Sequence, residues 1–413
     1  MFHCCNCLSV IKVLKVGAKV RKKLHICKKS SNFAALYTKF SILIIMKRFL
    51  FITIVGFCYL FISCGTQSDS SFYFDADSAR VLIEEAITDS LIPGAVLCVV
   101  DEGEIVHLEA YGQRAQVPEQ EMMTTNTIFD LASVSKPTGA GTAALLLIKE
   151  GKLSADDLVC KYIPNYHSDV TVRHLMTHYS GLPAYLGAAG LEKRFLEAQG
   201  DRLKARSDEV MRRDFTIEAI ATCQRPSAVG EKYRYSCLNF ISLQRVVETI
   251  VGTDVNTYLR SALYEPQGWT TMGWLPDTAC MERIAPTEWN ENAQLRGEVH
   301  DPLARVMMCG ISGNAGVFAT AEEIGKWAIW YMEQPQEVRE SACNAGLWTE
   351  DVPLAADTLQ TTVESRHTGY TGTNVVLWPE YNRAVVLLAH RVHPHDKGSM
   401  YQLRSAIKEL VRP

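Results

Sequence analysis

Two strand–turn–strand patterns stand far apart in this 413-residue chain. The first joins residues 95–100 to 105–111, and the second joins residues 373–377 to 384–389. Roughly 250 residues of mostly helical pattern lie between them. Because an isolated hairpin is not stable alone, we expect both to enter one sheet. The sequence therefore predicts an α/β fold of the α+β kind, an antiparallel sheet built from both chain ends with helices packed on it and a mostly helical insertion.

The charge of the chain is distributed unevenly. Residues 1–63 contain 11 Lys and Arg and no Asp or Glu, which leaves 31 basic against 46 acidic residues in the remainder. That remainder carries a net charge near −15 and would repel a polyanion. We therefore expect no nucleic-acid partner.

An export signal is predicted within the first 65 residues. A Met-Lys-Arg start at 46–48 precedes 14 apolar residues at 49–62, and Ser63-Cys64-Gly65 follows. A basic start, an apolar run too short to span a bilayer comfortably and a small residue at the cut are typical of a secretion signal. Cys64 at the cut resembles a bacterial lipoprotein signal, in which that cysteine is lipidated. An uncleaved N-terminal anchor helix is the alternative.

These features divide the chain into four parts. We expect residues 1–45 to be a non-native upstream extension, 46–63 the signal peptide, 64–71 a lipidated tether and 72–413 one folded domain. The predicted location is exported and membrane-anchored, in the periplasm or at the cell surface.

Cysteines and histidines offer no convincing metal site. Seven cysteines follow Cys64 and none forms a CxxC pair, so we expect isolated small buried residues, although one disulfide remains compatible with the sequence. His174 and His178 have the i, i+4 spacing of a helical zinc pair but lack the glutamate of H-E-x-x-H. His393 and His395 have no third ligand at suitable spacing. We predict neither a metal nor another cofactor.

A serine–lysine pair is the strongest chemical candidate. No GxSxG elbow is present, whereas Ser133 and Lys136 begin a small-residue and leucine-rich stretch that reads as a buried helix over 139–148. Residues three apart in a helix share one face, so the lysine can help to deprotonate the serine. The same S-x-x-K pattern occurs at Ser9 and Ser405, so the pattern alone is weak.

The ordered surroundings of Ser133 resemble the penicillin-recognising serine hydrolases. Residues 129–136 are similar to the first motif of the serine β-lactamase and D,D-peptidase superfamily, especially class C β-lactamases and penicillin-binding-protein-like relatives. Further similar segments follow in order: Ile92-Pro93-Gly94-Ala95 before it, then residues 171–183, Gly230 to Ser236, His300-Asp301-Pro302, residues 312–318 and His367-Thr368-Gly369. The family in turn implies a β-lactamase-like fold.

The resemblance implies a role for each motif residue. Ser133 would attack an amide or ester carbon and form an acyl-enzyme, with Lys136 and Tyr235 moving the proton. The oxyanion hole would use the backbone N–H groups of Ser133 and Tyr370. Substrate would also contact the third motif, His367, Thr368 and Gly369, as well as Cys237. The implied partner is a small-molecule or peptide acyl substrate, with cell-wall-derived peptides the natural guess.

Two positions depart from the family pattern. Cys237 stands where an asparagine amide often holds the substrate, and a thiol is a weaker hydrogen-bonding group. His367 replaces a lysine, and histidine is mostly neutral at pH 7. Both changes favour an esterase or D-aminopeptidase type of relative as much as a β-lactamase. A non-catalytic penicillin-recognising binding or sensor domain and a metallo-hydrolase remain the rivals from other classes.

Overall fold

The computed structural model describes residues 72–199, 208–290, 293–353 and 360–413. The predictions for residues 1–45, 46–63 and 64–71, including lipidation of Cys64, lie outside these residues. Numbered in chain order, the strands are β1 (Gly94–Asp101), β2 (Glu104–Ala115), β3 (Glu121–Met122), β4 (Ile128–Asp130), β5 (Trp289–Asn290), β6 (Ala293–Gln294), β7 (Phe318–Thr320), β8 (Trp348–Pro353), β9 (Thr361–Thr368), β10 (Asn374–Trp378) and β11 (Arg383–Ala389).

The α-helices lie at the two ends and in the middle of the described chain. They are α1 (Ala76–Thr88), α2 (Thr142–Lys149), α3 (Val172–Met176), α4 (Ala188–Gln199), α5 (Asp208–Ala221), α6 (Cys237–Val251), α7 (Val255–Leu259), α8 (Ala321–Met332), α9 (Gln336–Ser341) and α10 (Tyr401–Val411). None of these described helices has the length and apolar character needed to cross a bilayer.

The large sheet joins the two ends of the domain, as the hairpins predicted. Its seven strands follow the order β3-β2-β1-β11-β10-β9-β8, and every neighbouring pair is antiparallel. The central pair is β1 with β11, in which Ala95 lies opposite Ala389 and Val100 opposite Ala384. The predicted antiparallel sheet built from both chain ends is therefore confirmed.

The sheet is buried on both faces, because alternate residues of a strand point to opposite sides. Ala95, Leu97 and Val99 pack in one cluster with apolar residues of α1 and α10. Val96 and Cys98 pack in the other cluster, which contains the helical middle. The two terminal helices thus cover one face and the insertion covers the other. This layering leaves the edge formed by β9 and β8 to face the nucleophile segment.

The seven described cysteines form no disulfide. The expectation that they are all buried was wrong: Cys98 and Cys343 are buried, but the other five are partly exposed. Cys237 is one of the partly exposed five, and it opens onto the cleft described below.

Candidate active site

Ser133 stands on a strained turn that follows β4. The turn covers Ala132–Val134, and Ala132 adopts a left-handed backbone with φ of 47°, which costs energy for a residue with a side chain. Asp130 supports it, because its Oδ1 accepts the Ala132 N–H at 2.9 Å. β4 also pairs with β7, and Leu131 N donates to Val317 O at 2.9 Å. The local geometry of the nucleophile is therefore fixed by a buried carboxylate and a neighbouring strand.

The residues after Ser133 form a wide π-helical turn rather than the regular helix start that the sequence suggested. The turn covers Lys136–Gly141, and α2 begins at Thr142. Close packing explains the small residues here: a Cβ on Gly139 would lie 2.6 Å from the Trp274 ring. Extra residues in a turn often occur at functional sites. In this chain the turn carries Lys136 into the interior.

The Lys136 ammonium is fully buried beside the nucleophile. Its Nζ donates to Ser133 Oγ at 2.9 Å and to Asn314 O at 2.9 Å, and lies 3.7 Å from Cys237 Sγ. It lies 4.9 Å from the centroid of the Tyr235 ring. Burial lowers the pKa of Lys136, but the negative forms of Cys237 and Tyr235 raise it further, and the net direction is upward. The side chain therefore remains an ammonium at neutral pH.

Tyr235 is held by a loop that is bonded to His178. The backbone N–H of Arg234 donates to His178 O at 2.9 Å, and that of Ser236 donates to His178 Nδ1 at 3.2 Å. Because a backbone N–H can only donate, Nδ1 is an acceptor and the neutral ring carries its proton on Nε2. The His178 ring also packs on the Tyr235 ring, with 4.6 Å between centroids. His178 thus fixes both the loop and the aromatic ring.

Burial and neighbouring charge have opposite effects on the pKa of Tyr235. Burial raises the pKa of the phenol, while the charge of Lys136 and hydrogen bonding with Lys136 and Ser133 lower it. The net direction is upward, so the resting site holds a phenol beside an ammonium. Burial also lowers the pKa of His178 to about 3, and the charge of Lys136 adds to this effect. His178 is consequently neutral at neutral pH.

The third motif lies against the nucleophile turn. Thr373 Oγ1 donates to Leu131 O at 2.7 Å, and Thr371 Oγ1 donates to Asp130 O at 3.1 Å. A Cβ on Gly369 would lie 2.6 Å from Leu131 O, so only glycine fits there. Thr368, Gly369 and Tyr370 line the same cleft as Ser133. Gly369, which precedes Tyr370, therefore lies against Leu131 and Ala132, which precede Ser133.

His367 does not reach the cleft surface. It is fully buried, and its ring stacks on Trp348 with 4.5 Å between centroids and 15° between planes. Burial lowers its pKa well below the usual range, and the charge of Lys136 acts in the same direction. Among the described residues, Trp348 lines the cleft and His367 does not. The sequence predicted direct substrate contact for His367; the geometry instead gives it a place behind Tyr235 and Trp348.

One cleft has a volume of about 810 Å³ and is lined by six of the predicted site residues. Ser133, Tyr235, Cys237, Thr368, Gly369 and Tyr370 all line it. The remaining described lining consists of Ala132, Tyr185, Gly187, Ala188, Ala189, Gly190, Glu288, His300, Asp301, Pro302, Ala315 and Trp348. Aromatic and small side chains dominate, which is typical of an organic substrate site.

Sequence reasoning assigned no site role to several residues that shape this cleft. His178, Asn314 and Trp348 each contact a predicted site residue. Asp130 accepts the backbone N–H of Ala132, the residue before Ser133. Asp130, His178 and Asn314 lie inside three of the segments that resemble the family, 129–136, 171–183 and 312–318, and a polar residue within a buried motif was a usable signal. Trp348 gave no such signal in the sequence, because it lies in β8 and only folding brings that strand near Tyr235.

Three of the four histidines in the two candidate metal pairs accept backbone N–H groups. His174 Nδ1 accepts the Thr171 backbone N–H at 3.1 Å, and His178 Nδ1 accepts that of Ser236. His393 Nε2 accepts the Gln116 N–H at 2.9 Å. Within the described ranges, no group of three or more His, Cys, Asp or Glu side chains is arranged to hold a metal ion.

The match to a known family follows from this arrangement. A family model described as Beta-lactamase covers residues 79–407. The chain belongs to the Beta-lactamase family. As a member it is a serine hydrolase of the β-lactamase and D,D-peptidase type.

Individual relatives of this Beta-lactamase family member carry several names. An N-acetylmuramyl-L-alanine amidase of Bacillus subtilis (strain 168) is 28% identical, with 73% of this chain and 78% of the relative covered. A putative D-alanyl-D-alanine carboxypeptidase of Escherichia coli O157:H7 is 26% identical over 76% of this chain and 83% of the relative. EstCE1, a hydrolase with promiscuous acyltransferase activity, has a similar fold, with a TM-score of 0.63, 19% identity and 82% and 98% of the two chains covered.

Proposed function

We propose that this chain hydrolyses an amide or ester through an acyl-enzyme on Ser133. One observation carries the proposal: the buried Lys136 Nζ lies 2.9 Å from Ser133 Oγ at an open cleft. An ammonium next to a hydroxyl favours its alkoxide, and the strained turn keeps that oxygen in position. The contacts of Lys136 with both Ser133 and Tyr235 favour a three-residue unit.

In the proposed reaction, Ser133 Oγ bonds to the acyl carbon while its proton passes to Tyr235 as phenolate. The proton then goes to the departing amine or alcohol as the old bond breaks. Water repeats the sequence on the ester and regenerates the serine. The backbone N–H groups of Ser133 and Tyr370 would receive the oxyanion. Thr368, Gly369 and Cys237 would contact the substrate beside it.

The proposed substrates are acyl compounds related to cell-wall peptides. The relatives named as an amidase and as a putative D-alanyl-D-alanine carboxypeptidase support this class by likeness. Export through residues 46–63 and membrane anchoring at Cys64 would place the enzyme beside such material. Radiolabelled palmitate incorporation in the producing cell, lost in Cys64→Ser, tests the anchor; an unlabelled wild-type chain would contradict it.

The reaction is tested by intact-mass spectrometry of the chain treated with a fluorophosphonate and, separately, a penicillin. We expect wild type to gain the fluorophosphonate mass and Ser133→Ala to gain none. Ser405→Ala is a matched control, because Ser405 and Lys408 repeat the S-x-x-K spacing in α10, away from the cleft. It should label like wild type.

The same measurement separates the rivals. Labelling of Ser133 without turnover of any acyl substrate would favour the binding or sensor domain, for which Cys237 beside Lys136 is the relevant departure. Failure of wild type to label would contradict the proposal outright. Activity that survives Ser133→Ala and is lost with a chelator would point to a metallo-hydrolase.

A further inference from the structure

The fixed charges that line the cleft are carboxylates. Among the described lining residues, Glu288 and Asp301 are acidic and none is Lys or Arg. His300 stands between them, with Nε2 lying 2.9 Å from Glu288 Oε1. The cleft wall near residue 300 is therefore negative.

Asp301 is held close to the nucleophile by a shared carboxylate. Asp130 accepts the Ala132 N–H through Oδ1 at 2.9 Å and the His300 N–H through Oδ2 at 2.7 Å. The Asp130 side chain thus links Ala132, which precedes Ser133, to His300, which precedes Asp301. Asp301 Oδ1 in turn accepts the Ala304 N–H at 2.8 Å. Asp301 and Ser133 line the same cleft.

Tyr185 also lines the cleft and contacts Asp301. Its hydroxyl lies 3.3 Å from Asp301 Oδ1, where it donates, and accepts the Leu303 N–H at 2.9 Å. Both hydrogen bonds orient the Asp301 carboxylate without neutralising its charge. No ion pair joins Asp301 to a cation within the described part of the chain.

The nearby cations lie outside the described cleft lining, among them Arg305, whose guanidinium donates to Val299 O at 2.8 Å and to His300 O at 3.0 Å. The Lys136 ammonium is fully buried and is not part of the described cleft lining. Arg391 lies behind the Tyr370 ring, 4.6 Å from its centroid, and forms an ion pair with Asp396. His367 is buried and its pKa is lowered well below the usual range, so it adds no positive charge to the cleft at neutral pH.

We propose that the cleft selects acyl donors that carry an ammonium group near the scissile bond and disfavours donors with a carboxylate there. The substrate class is therefore amino-acyl amides or esters with a free amine. This inference rests on the proposed function, because it requires Ser133 to be the nucleophile. Coulomb interaction with two partly exposed carboxylates is strong enough to order substrates by charge.

Three fluorophosphonates of equal chain length test the inference on the full chain. One ends in a primary ammonium, one in a hydroxyl and one in a carboxylate, and the labelling rate of Ser133 is followed by intact mass. We expect the ammonium probe to label at least about tenfold faster than the carboxylate probe, a difference of ~1.4 kcal/mol. The ratio should shrink as salt rises, because screening acts over about 10 Å at 0.1 M.

Isosteric variants locate the effect. Asp301→Asn and Glu288→Gln should each lower the ammonium-to-carboxylate rate ratio. Asp277→Asn is the control: Asp277 also caps a short helical turn, accepting the Ala279 N–H at 2.9 Å, but lies outside the cleft. It should keep the wild-type ratio. If loss of the cap unfolds Asp301→Asn, the Glu288→Gln ratio decides.

The outcomes separate this inference from the proposed function. If even the hydroxyl probe fails to label Ser133, the proposed function fails. If the hydroxyl probe labels but the carboxylate probe is equal to or faster than the ammonium probe, the charge selection is wrong while the nucleophile stands. An unchanged ratio in Glu288→Gln and a folded Asp301→Asn would also overturn it.

Discussion

Lys136 and Tyr235 divide the tasks that a single base would otherwise perform. Both pKa values are raised, so at neutral pH the pair rests as ammonium and phenol. The reactive phenolate must therefore be formed by losing a proton. Its population grows as pH rises toward the pKa of Tyr235, while Lys136 keeps its charge over the same range.

We accordingly expect acylation of Ser133 to accelerate with increasing pH between about 6 and 9, with no acidic optimum. Tyr235→Phe should lower the rate by about 10²–10⁴-fold and flatten its pH dependence. The check is the labelling rate of Ser133 by a neutral fluorophosphonate at several pH values, with His395→Gln, an exposed histidine, as control. A wild-type rate that falls with pH would contradict the phenolate scheme.

At the residue scale the sequence predicted chemistry better than placement. The motif order predicted that Ser133, Lys136 and Tyr235 are neighbours. In the structure, Lys136 lies next to both of the other side chains. The sequence could not predict the burial of His367, because the ring stacks on Trp348 of β8, a strand that is distant in the sequence pattern. Residue identity at a motif position does not say whether the side chain faces solvent.

Among the elements, the tightest requirement lies where the β9–β10 loop meets the nucleophile turn. Gly369→Ala should reduce acylation by at least about tenfold and destabilise the fold by ~1–3 kcal/mol, because the added Cβ would meet Leu131 O at 2.6 Å and force the loop away. Acylation and urea unfolding are the measurements. Gly190→Ala, where no atom lies within 4 Å of an added Cβ, is the stability control. An unaltered Gly369→Ala enzyme would show that the loop can shift freely.

Element prediction succeeded where patterns were strong. Residues 95–100, 105–111, 374–377 and 384–389 lie in strands, whereas the predicted residue 373 lies just before β10, and residues 401–411 form α10 as predicted. β8 went unpredicted because it is a sheet-edge strand with polar, exposed residues and a terminal proline, which lacks a strand-like pattern. The π-helical turn at Lys136–Gly141 also had no pattern of its own, since it results from packing against Trp274 and residue 345.

The whole molecule depends on contacts between chain ends. β1 and β11 form the centre of the sheet, and α1 packs with α10 on one face. The sequence could predict this closure because both hairpins needed partners. It could not predict the cleft's charge, since Glu288, Asp301 and Ser133 are far apart in the chain and meet only through the Asp130 carboxylate and neighbouring loops.

Four buried histidines make the whole fold sensitive to mild acid. Burial lowers the pKa of His178 to about 3 and of His390 and His393 to about 4, and it lowers that of His367 well below its usual range. Unfolded histidines titrate near ~6.5. Between these values the unfolded chain binds more protons, so the free energy of unfolding falls as pH decreases.

We expect urea-unfolding free energy to be constant above about pH 7.5 and to fall between about pH 6.5 and 5, by up to ~1.4 kcal/mol per pH unit for each histidine. The raised pKa values of the buried Asp130 and the partly buried Glu248 act in the opposite direction, so the histidine variants are needed to identify the histidine contribution to the slope. His390→Gln should reduce the slope by about one proton, whereas the exposed His395→Gln should leave it unchanged. Stability that stays level from pH 7.5 to 5 would contradict the lowered pKa values of these buried rings.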